Sequence, residues 1–264
     1  MGEAQEIRTR LTDALLSVLL APSCAACDRL LDRPSRGPVC DPCWSSIEPI
    51  TPPVCEGCGQ PLPSWRVLTD AVGLCAWCRR VRSVITRTRA VGLYDGSLRE
   101  IIHAFKYRGR VTIARRLAHL MRQRGAELLA DADFVVPVPL HPRRRRTRGF
   151  NQAALLAKHL GPPVLAGLRR VRDTVSQTEL PAGRRHRNVR DAFALQRHVS
   201  IVERWPFVSR RPSWESIQGR ILVLVDDVAT TGATLEACAR PIKQAGAREV
   251  RALIAGRAVR PVRR

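Results

Sequence analysis

Two adjacent acids, Asp226 and Asp227, followed closely by Thr230, Thr231, Gly232 and Thr234, are the residues best placed by type and spacing to do chemistry. Paired carboxylates accept hydrogen bonds from sugar hydroxyls and hold hard cations through oxygen. The segment Ala229-Thr230-Thr231-Gly232-Ala233-Thr234 combines small side chains, hydroxyls and one glycine free to take positive φ, so its backbone N–H groups can close around a phosphate. An ordinary capped turn needs neither two neighbouring acids nor Thr-Thr-Gly.

These residues need a scaffold, and the flanking sequence supplies one. The apolar run Ile221–Val225 is too short for a lone helix and rich in β-branched side chains, which predicts a central parallel strand. Asp226 and Asp227 then emerge at its carboxyl end, where open α/β sheets bind ligands. Leu235 to Ala245 reads as the following helix, whose amino terminus favours an anion. From residue 87 onward, strand and helix patterns alternate: strands at Arg89–Tyr94, Phe134–Val138, Val164–Leu168 and Val250–Ala255, helices at Ser97–Phe105, Thr112–Leu129 and Phe150–Leu160. The expected fold class is therefore α/β, a parallel sheet flanked by helices.

A second chemistry lies upstream. Eight of the nine cysteines form four pairs, Cys24/Cys27, Cys40/Cys43, Cys55/Cys58 and Cys75/Cys78, with 12 residues between the first two pairs and 16 between the last two. Such spacing suits zinc ribbons, in which two knuckles each give two thiolates to one tetrahedral ion. A disulfide framework is the alternative, disfavoured in a chain lacking an export signal, and an iron–sulfur cluster is a lesser one. Sequential pairing into two sites is preferred to a crossed arrangement, which spacing leaves open. Frequent proline between Pro22 and Pro63 leaves metal as the main source of order. The ninth cysteine, Cys238, reads as a core residue.

The formal net charge is +22, and all but three of the 45 basic side chains are arginine. Such a field draws polyanions. No apolar run approaches the roughly 20 residues that span a bilayer, and the expected location is cytoplasmic. Ile7 to Leu20 predicts an amphipathic helix with Ile7, Leu11, Leu15 and Val18 on one stripe, expected to pack on its own protein. Arg197 to Ser216 reads as a surface loop, in which Trp205 and Trp214 are either base-stacking platforms or, more commonly, anchors to the core. His141, at a strand end, reads more readily as a hydrogen-bonded structural residue than as a base.

The apolar strand, two acids and Thr-Thr-Gly turn resemble the phosphoribosyl pyrophosphate signature of type I phosphoribosyltransferases. The resemblance implies that Asp226 and Asp227 take the ribose hydroxyls, that residues Ala229 to Thr234 take the 5′-phosphate, and that Mg²⁺ bridges pyrophosphate and ribose. It places Arg143 to Arg146, Arg148 and Gly149, in the segment Pro-Arg-Arg-Arg-Arg-Thr-Arg-Gly-Phe-Asn-Gln-Ala, against pyrophosphate. It also places Arg185, Arg187 and Asn188 on a lid spanning residues 173–191. The wording Pro-Val-Pro-Leu-His-Pro from Pro137, the following Arg-Gly-Phe-Asn-Gln-Ala, Lys106-Tyr107-Arg108-Gly109 and the cysteine knuckles together resemble the ComF family of competence proteins over nearly the whole chain. The pattern along the chain divides it into an amino-terminal amphipathic helix over 1–22, a double zinc-ribbon module over 23–82 and, from residue 87 to 264, the domain that resembles a phosphoribosyltransferase. The resemblance to the ComF family further implies single-stranded DNA as a partner in natural transformation, with other competence or DNA-processing proteins, and leaves open whether a phosphoribosyl group is transferred or the fold serves as an adaptor.

Overall fold

In the computed structural model, which describes residues 3–63, 73–171, 192–202 and 214–259, one mixed sheet organises the carboxyl-terminal two thirds of the chain. Its strands are β1 (Ile85–Leu93), β2 (Phe134–Pro137), β3 (Val164–Arg170), β4 (Phe193–Val202), β5 (Ile221–Ala229) and β6 (Glu249–Arg257). They lie in the order β1-β6-β5-β2-β3-β4, and every neighbouring pair is parallel except β3 with β4.

β5 is central because both of its faces are apolar. Val223 and Val225 face one core with Val135, Leu253 and Ala255, while Leu222 and Leu224 face a second with Val136, Ala252 and Ile254. This two-sided burial is what an uninterrupted apolar run encodes. Helices α4 (Gly96–Tyr107), α5 (Ile113–Arg124) and α8 (Gln152–Ala157) cover the first face, and α9 (Ala233–Gln244) covers the second.

Several boundaries differ from the sequence expectation, each for a local reason. The helix expected over Thr112–Leu129 is two, α5 and the short α6 (Ala126–Leu129), with Gly125 between them. A Cβ at Gly125 would lie 2.5 Å from Leu253 Cδ1, so glycine is what lets the junction sit this close to the sheet. β5 runs four residues past Val225, through both aspartates, because Asp226, Val228 and Ala229 pair with Ile254, Gly256 and Arg257 of β6. The basic segment after β2 forms a helix, α7 (Pro142–Arg148), started by His141, whose Nδ1 accepts from Arg143 N at 3.3 Å, and stopped by Gly149 at φ 77°. Part of the segment read as a loop, 197–202, belongs instead to β4, which pairs with β3 from Val202 to Phe193. Trp214 donates from Nε1 to Gln196 O at 2.7 Å and packs against the second core, so it anchors the chain to its own domain. Trp205 lies outside the described residues.

The amino-terminal module is two copies of one unit. Cys24 N donates to Arg29 O, Asp28 N to Cys24 O and Leu31 N to Pro22 O; Cys55 N donates to Gln60 O, Gly59 N to Cys55 O and Leu62 N to Pro53 O. The second knuckle of each copy opens a short helix at its first cysteine, α2 (Asp41–Ser45) after Cys40 and α3 (Ala76–Arg80) after Cys75. The first ribbon is joined to the main core: Cys24, Val39, Cys43 and Trp44 pack in the same cluster as Leu98, Ile101 and Phe105. The chain between the ribbons runs along edge strand β1, with Pro49 bridging Gly92 and Leu93 N donating to Glu48 O.

Helix α1 (Glu3–Leu20) forms where expected but does not bury the expected stripe. Leu11, Leu15 and Val18 are 66%, 60% and 83% exposed. The helix instead turns Asp13 inward, where its carboxylate accepts from Ser35 N at 2.8 Å. No helix among the described residues is long and apolar enough to cross a membrane.

Candidate functional site

The end of β5 delivers both acids to the sheet's carboxyl edge, flanked by β6 on one side and β2 on the other. Asp227 is buried, and Lys106 Nζ, from the last turn of α4, lies 2.7 Å from its Oδ1. Asp226 is partly buried and accepts from Asp227 N at 2.8 Å. Burial and the charge of Asp227 push the Asp226 carboxyl from 3.8 up to about 8, against the opposing pull of Lys106, the Asp227 amide and Arg170. Burial pulls the Lys106 ammonium down, but Asp227 and Asp226 more than offset it, so the lysine is held firmly charged. The result is two buried or half-buried acids, of which Asp227 pairs directly with Lys106 and Asp226 is drawn on by Lys106 and Arg170.

Beyond the acids the chain turns at Thr230 and Thr231, and Gly232 takes φ 78° as the residue before α9. A side chain at that φ would be strained, and Gly232 has none with which to cap the helix, so the first-turn N–H groups are left to other acceptors. Thr231 Oγ1 accepts from Ala233 N at 3.3 Å, which holds the turn tight. Thr230, Thr231 and Gly232 thus form a tight turn between Ala229, the last residue of β5, and Ala233 and Thr234, the first residues of α9.

β2 lies beside β5, with Val138 N donating to Val225 O at 2.9 Å, and this brings α7 to the same edge. Arg148 is clasped there: its Nη2 donates to Tyr107 Oη at 2.9 Å, its Cζ sits 4.7 Å from the Tyr107 ring centroid, and its Nη1 donates to Gln152 Oε1 at 3.4 Å. Asn151 joins the layers, accepting from Ala153 N and donating to Val138 O. Arg143, Arg145 and Arg146 are exposed on α7, and Arg144 is half-buried. A helix spreads successive side chains by about 100°, so the arginine run does not present a single face. Arg185, Arg187 and Asn188 lie outside the described residues.

Lys106 and Tyr107 are the pair that residue-by-residue reasoning under-read; they entered only as part of a motif. One signal was available: Lys106 is among just three lysines in an arginine-rich chain.

The thiols form two tetrads, Cys24/Cys27/Cys40/Cys43 and Cys55/Cys58/Cys75/Cys78, with the four sulfurs of each within 4.8 Å of one another. This is the sequential arrangement. Cys24–Cys43, Cys27–Cys40 and Cys58–Cys75 Sγ separations are 3.9, 3.8 and 3.8 Å. Disulfide sulfurs would be about 2.0 Å apart, whereas a tetrahedral ion with bonds of about 2.3 Å needs edges of about 3.8 Å. Backbone amides also point at sulfur: Ala26 N and Cys40 N donate to Cys24 Sγ at 3.4 and 3.3 Å, and Cys75 N donates to Cys55 Sγ at 3.2 Å. Such donors favour thiolates, so both donor sets fit zinc.

Comparison with known proteins finds two family matches. The double zinc ribbon domain family matches residues 15–82, and the phosphoribosyl transferase domain family matches residues 146–258. The competence protein ComFC of Bacillus subtilis is 29% identical over 211 residues, covering 79% of each chain. Competence protein F of Haemophilus influenzae is 28% identical over 82% of this chain and 89% of its own length. The DNA utilization protein YhgH of Salmonella typhi is 31% identical over 79% of this chain and 93% of its own. With its paired ribbons, its β5 edge and relatives matched over most of their length, the chain belongs to the ComF family, whose members join a double zinc ribbon to a phosphoribosyltransferase-like domain.

Proposed function

We propose that the chain is a cytoplasmic protein that binds phosphoribosyl pyrophosphate at the carboxyl edge of β5 and binds single-stranded DNA during natural transformation, a role in keeping with its relatives' names, which refer to competence and DNA utilization. The observation that carries this reading is the grouping of Asp226, Asp227 and Lys106 beside the Thr230–Gly232 turn. In it Asp226 and Asp227 accept hydrogen bonds from the ribose hydroxyls, and the loop Ala229 to Thr234 holds the 5′-phosphate with backbone N–H groups. Lys106 and Arg148, both fixed by neighbours, supply positive charge where a pyrophosphate leaves. Oxygen donors crowded enough to raise Asp226 suit Mg²⁺, which when bound would neutralise pyrophosphate. The two tetrads hold zinc for structure, each ion closing a ribbon that has little apolar core of its own.

A second reading, ligand binding without turnover, is favoured by one contact. Lys106 pairs with the acid that would take a ribose hydroxyl, so ligand entry must remodel that pair. The two readings separate in one assay: protein incubated with Mg²⁺ and phosphoribosyl pyrophosphate, with and without single-stranded DNA. Pyrophosphate release above the uncatalysed rate supports transfer, and tight binding without release supports a ligand-sensing adaptor. Calorimetry showing no binding under either condition would remove both.

A further inference from the structure

A cavity of about 640 Å³ lies at the seam between the first ribbon and the amino end of α5. It shares no lining residue with the β5 edge, α7 or the turn before α9. Its floor is apolar, with Leu31, Val39 and Trp44 buried beneath it. Its rim is cationic, with Arg36, Arg110, Arg115 and Arg116 and no carboxylate among the lining side chains.

Arg116 is held in place: its Nη1 lies 2.7 Å from Asp41 Oδ1 and its Cζ 5.0 Å from the Trp44 ring centroid. Arg110 and Arg115 are exposed, and no ion pair engages either among the described residues. An apolar hollow ringed by arginine suits a ligand with a flat apolar part and attached anionic groups. Bases stack on aromatic rings and guanidinium planes, and phosphates pair with arginine. We infer that this cavity takes a nucleotide unit of single-stranded nucleic acid, a contact separate from the β5 site.

The connection between α4 and α5 favours a strand over a free nucleotide. Lys106 and Tyr107 belong to the β5 site, and Arg110, Val111 and Thr112 line the cavity. Three residues of chain reach at most about 11 Å, so Tyr107 and Arg110 are separated by only a few nucleotides at the stacked rise of about 3.4 Å per strand. Arg108 lies exposed between them. A single strand can therefore follow one basic path from Arg148 past Arg108 to Arg110 and Arg115.

This inference rests on the proposed handling of single-stranded DNA, and its test keeps the two apart. Zinc-loaded full-length protein is titrated against fluorescein-labelled oligothymidylate by anisotropy over a range of KCl, and against phosphoribosyl pyrophosphate by calorimetry. The Arg110→Glu/Arg115→Glu variant should weaken oligonucleotide binding by about tenfold or more. Two lost phosphate contacts should also reduce the log–log salt slope by about 1.4, at about 0.7 per contact. Affinity for phosphoribosyl pyrophosphate should not change. The control is Arg122→Glu/Arg124→Glu, which alters charge equally at the other end of α5 and should have a much smaller effect. Oligonucleotide binding unchanged in the first variant, or reduced equally in both, overturns the inference alone. Displacement of the oligonucleotide by thymidine monophosphate at equal nucleotide concentration makes the cavity a mononucleotide site and also overturns it. Wild-type protein that binds phosphoribosyl pyrophosphate but no oligonucleotide overturns the DNA part of the functional reading and this inference together.

Discussion

Asp226 is in an environment that suits a ligand better than it suits the folded chain. Its carboxyl holds a proton up to about pH 8, whereas in the unfolded chain it releases it near the ordinary value of 3.8. Between those values the folded state binds the extra proton, so stability falls as pH rises through that window and levels off above it. Asp226→Asn removes the cost of ionising a buried acid, and should raise Tm at pH 8.5 by at least about 2 °C, the shift of roughly 1 kcal/mol in a domain of this size. The gain should be smaller at pH 5.5, part-way through the window, and a Tm gain that does not depend on pH would contradict the assignment of the raised acid. Binding should move the opposite way. Asp226→Asn and Asp227→Asn each lose a charged acceptor, typically worth about 1.5–3 kcal/mol, so calorimetry should find affinity for phosphoribosyl pyrophosphate reduced about tenfold or more in each. An unchanged affinity in the double variant would sink the site. These two acids and the turn after them were legible in the sequence because their chemistry is local: adjacent side chains at one strand end. Lys106 was not, because its partner lies 121 positions away and only the sheet order brings α4 over β5.

Elements were legible where one pattern decided them and misread where packing did. The apolar run of β5 and the cysteine spacing each have few physical solutions, and both appear as expected. The helix breaks at Gly125, which lies too close to Leu253 of a distant strand for any side chain, and no helix periodicity reports that contact. Helix α1 is the sharpest case: its leucines form a stripe, yet the helix is oriented by Asp13 on Ser35 N. Since Leu11 and Leu15 are exposed, Leu11→Gln/Leu15→Gln should leave Tm within about 1 °C of wild type, in line with surface changes of about ±0.5 kcal/mol. Asp13→Ala should cost more, because it strips a backbone N–H of its acceptor. The reverse order in thermal melts would show that the stripe is packed after all. The ribbons also differ as elements. Purified protein should contain about two zinc ions per chain, one for each thiolate tetrad, and metal analysis finding none with all eight thiols reactive would end that reading. Cys43 is buried in the core that holds Leu98 and Ile101, whereas Cys78 is not part of it. Cys43→Ser should therefore speed hydrogen exchange in α4 as well as in the first ribbon, and Cys78→Ser should affect the second ribbon alone.

At the scale of the whole molecule, a formal charge of +22 exceeds what one pyrophosphate ester can use. Five arginines of α7 lie at the sheet's carboxyl edge, and Arg108, Arg110 and Arg115 lie at or beside the α4–α5 connection, so the field that draws a small phosphorylated ligand also draws a polyanion. Helix α7 shows how the two uses divide. Arg148 is spent on Tyr107 and Gln152, while Arg143, Arg145 and Arg146 stand exposed. Their spread around a helix means that one small ligand cannot meet all of them, but a flexible strand can meet several. Single-stranded DNA should bind with little sequence preference and weaken steeply with salt, each phosphate contact adding about −0.7 to the log–log slope. Replacing Arg143, Arg144, Arg145 and Arg146 by alanine should then flatten that slope by about 1.4–2.1, the loss of two or three contacts. Affinity for phosphoribosyl pyrophosphate should fall much less than in the Asp227→Asn variant, because Arg148 and the β5 loop remain. DNA binding that is indifferent to salt, or a slope unchanged in the alanine variant, would show that the arginines of α7 are a solvated face.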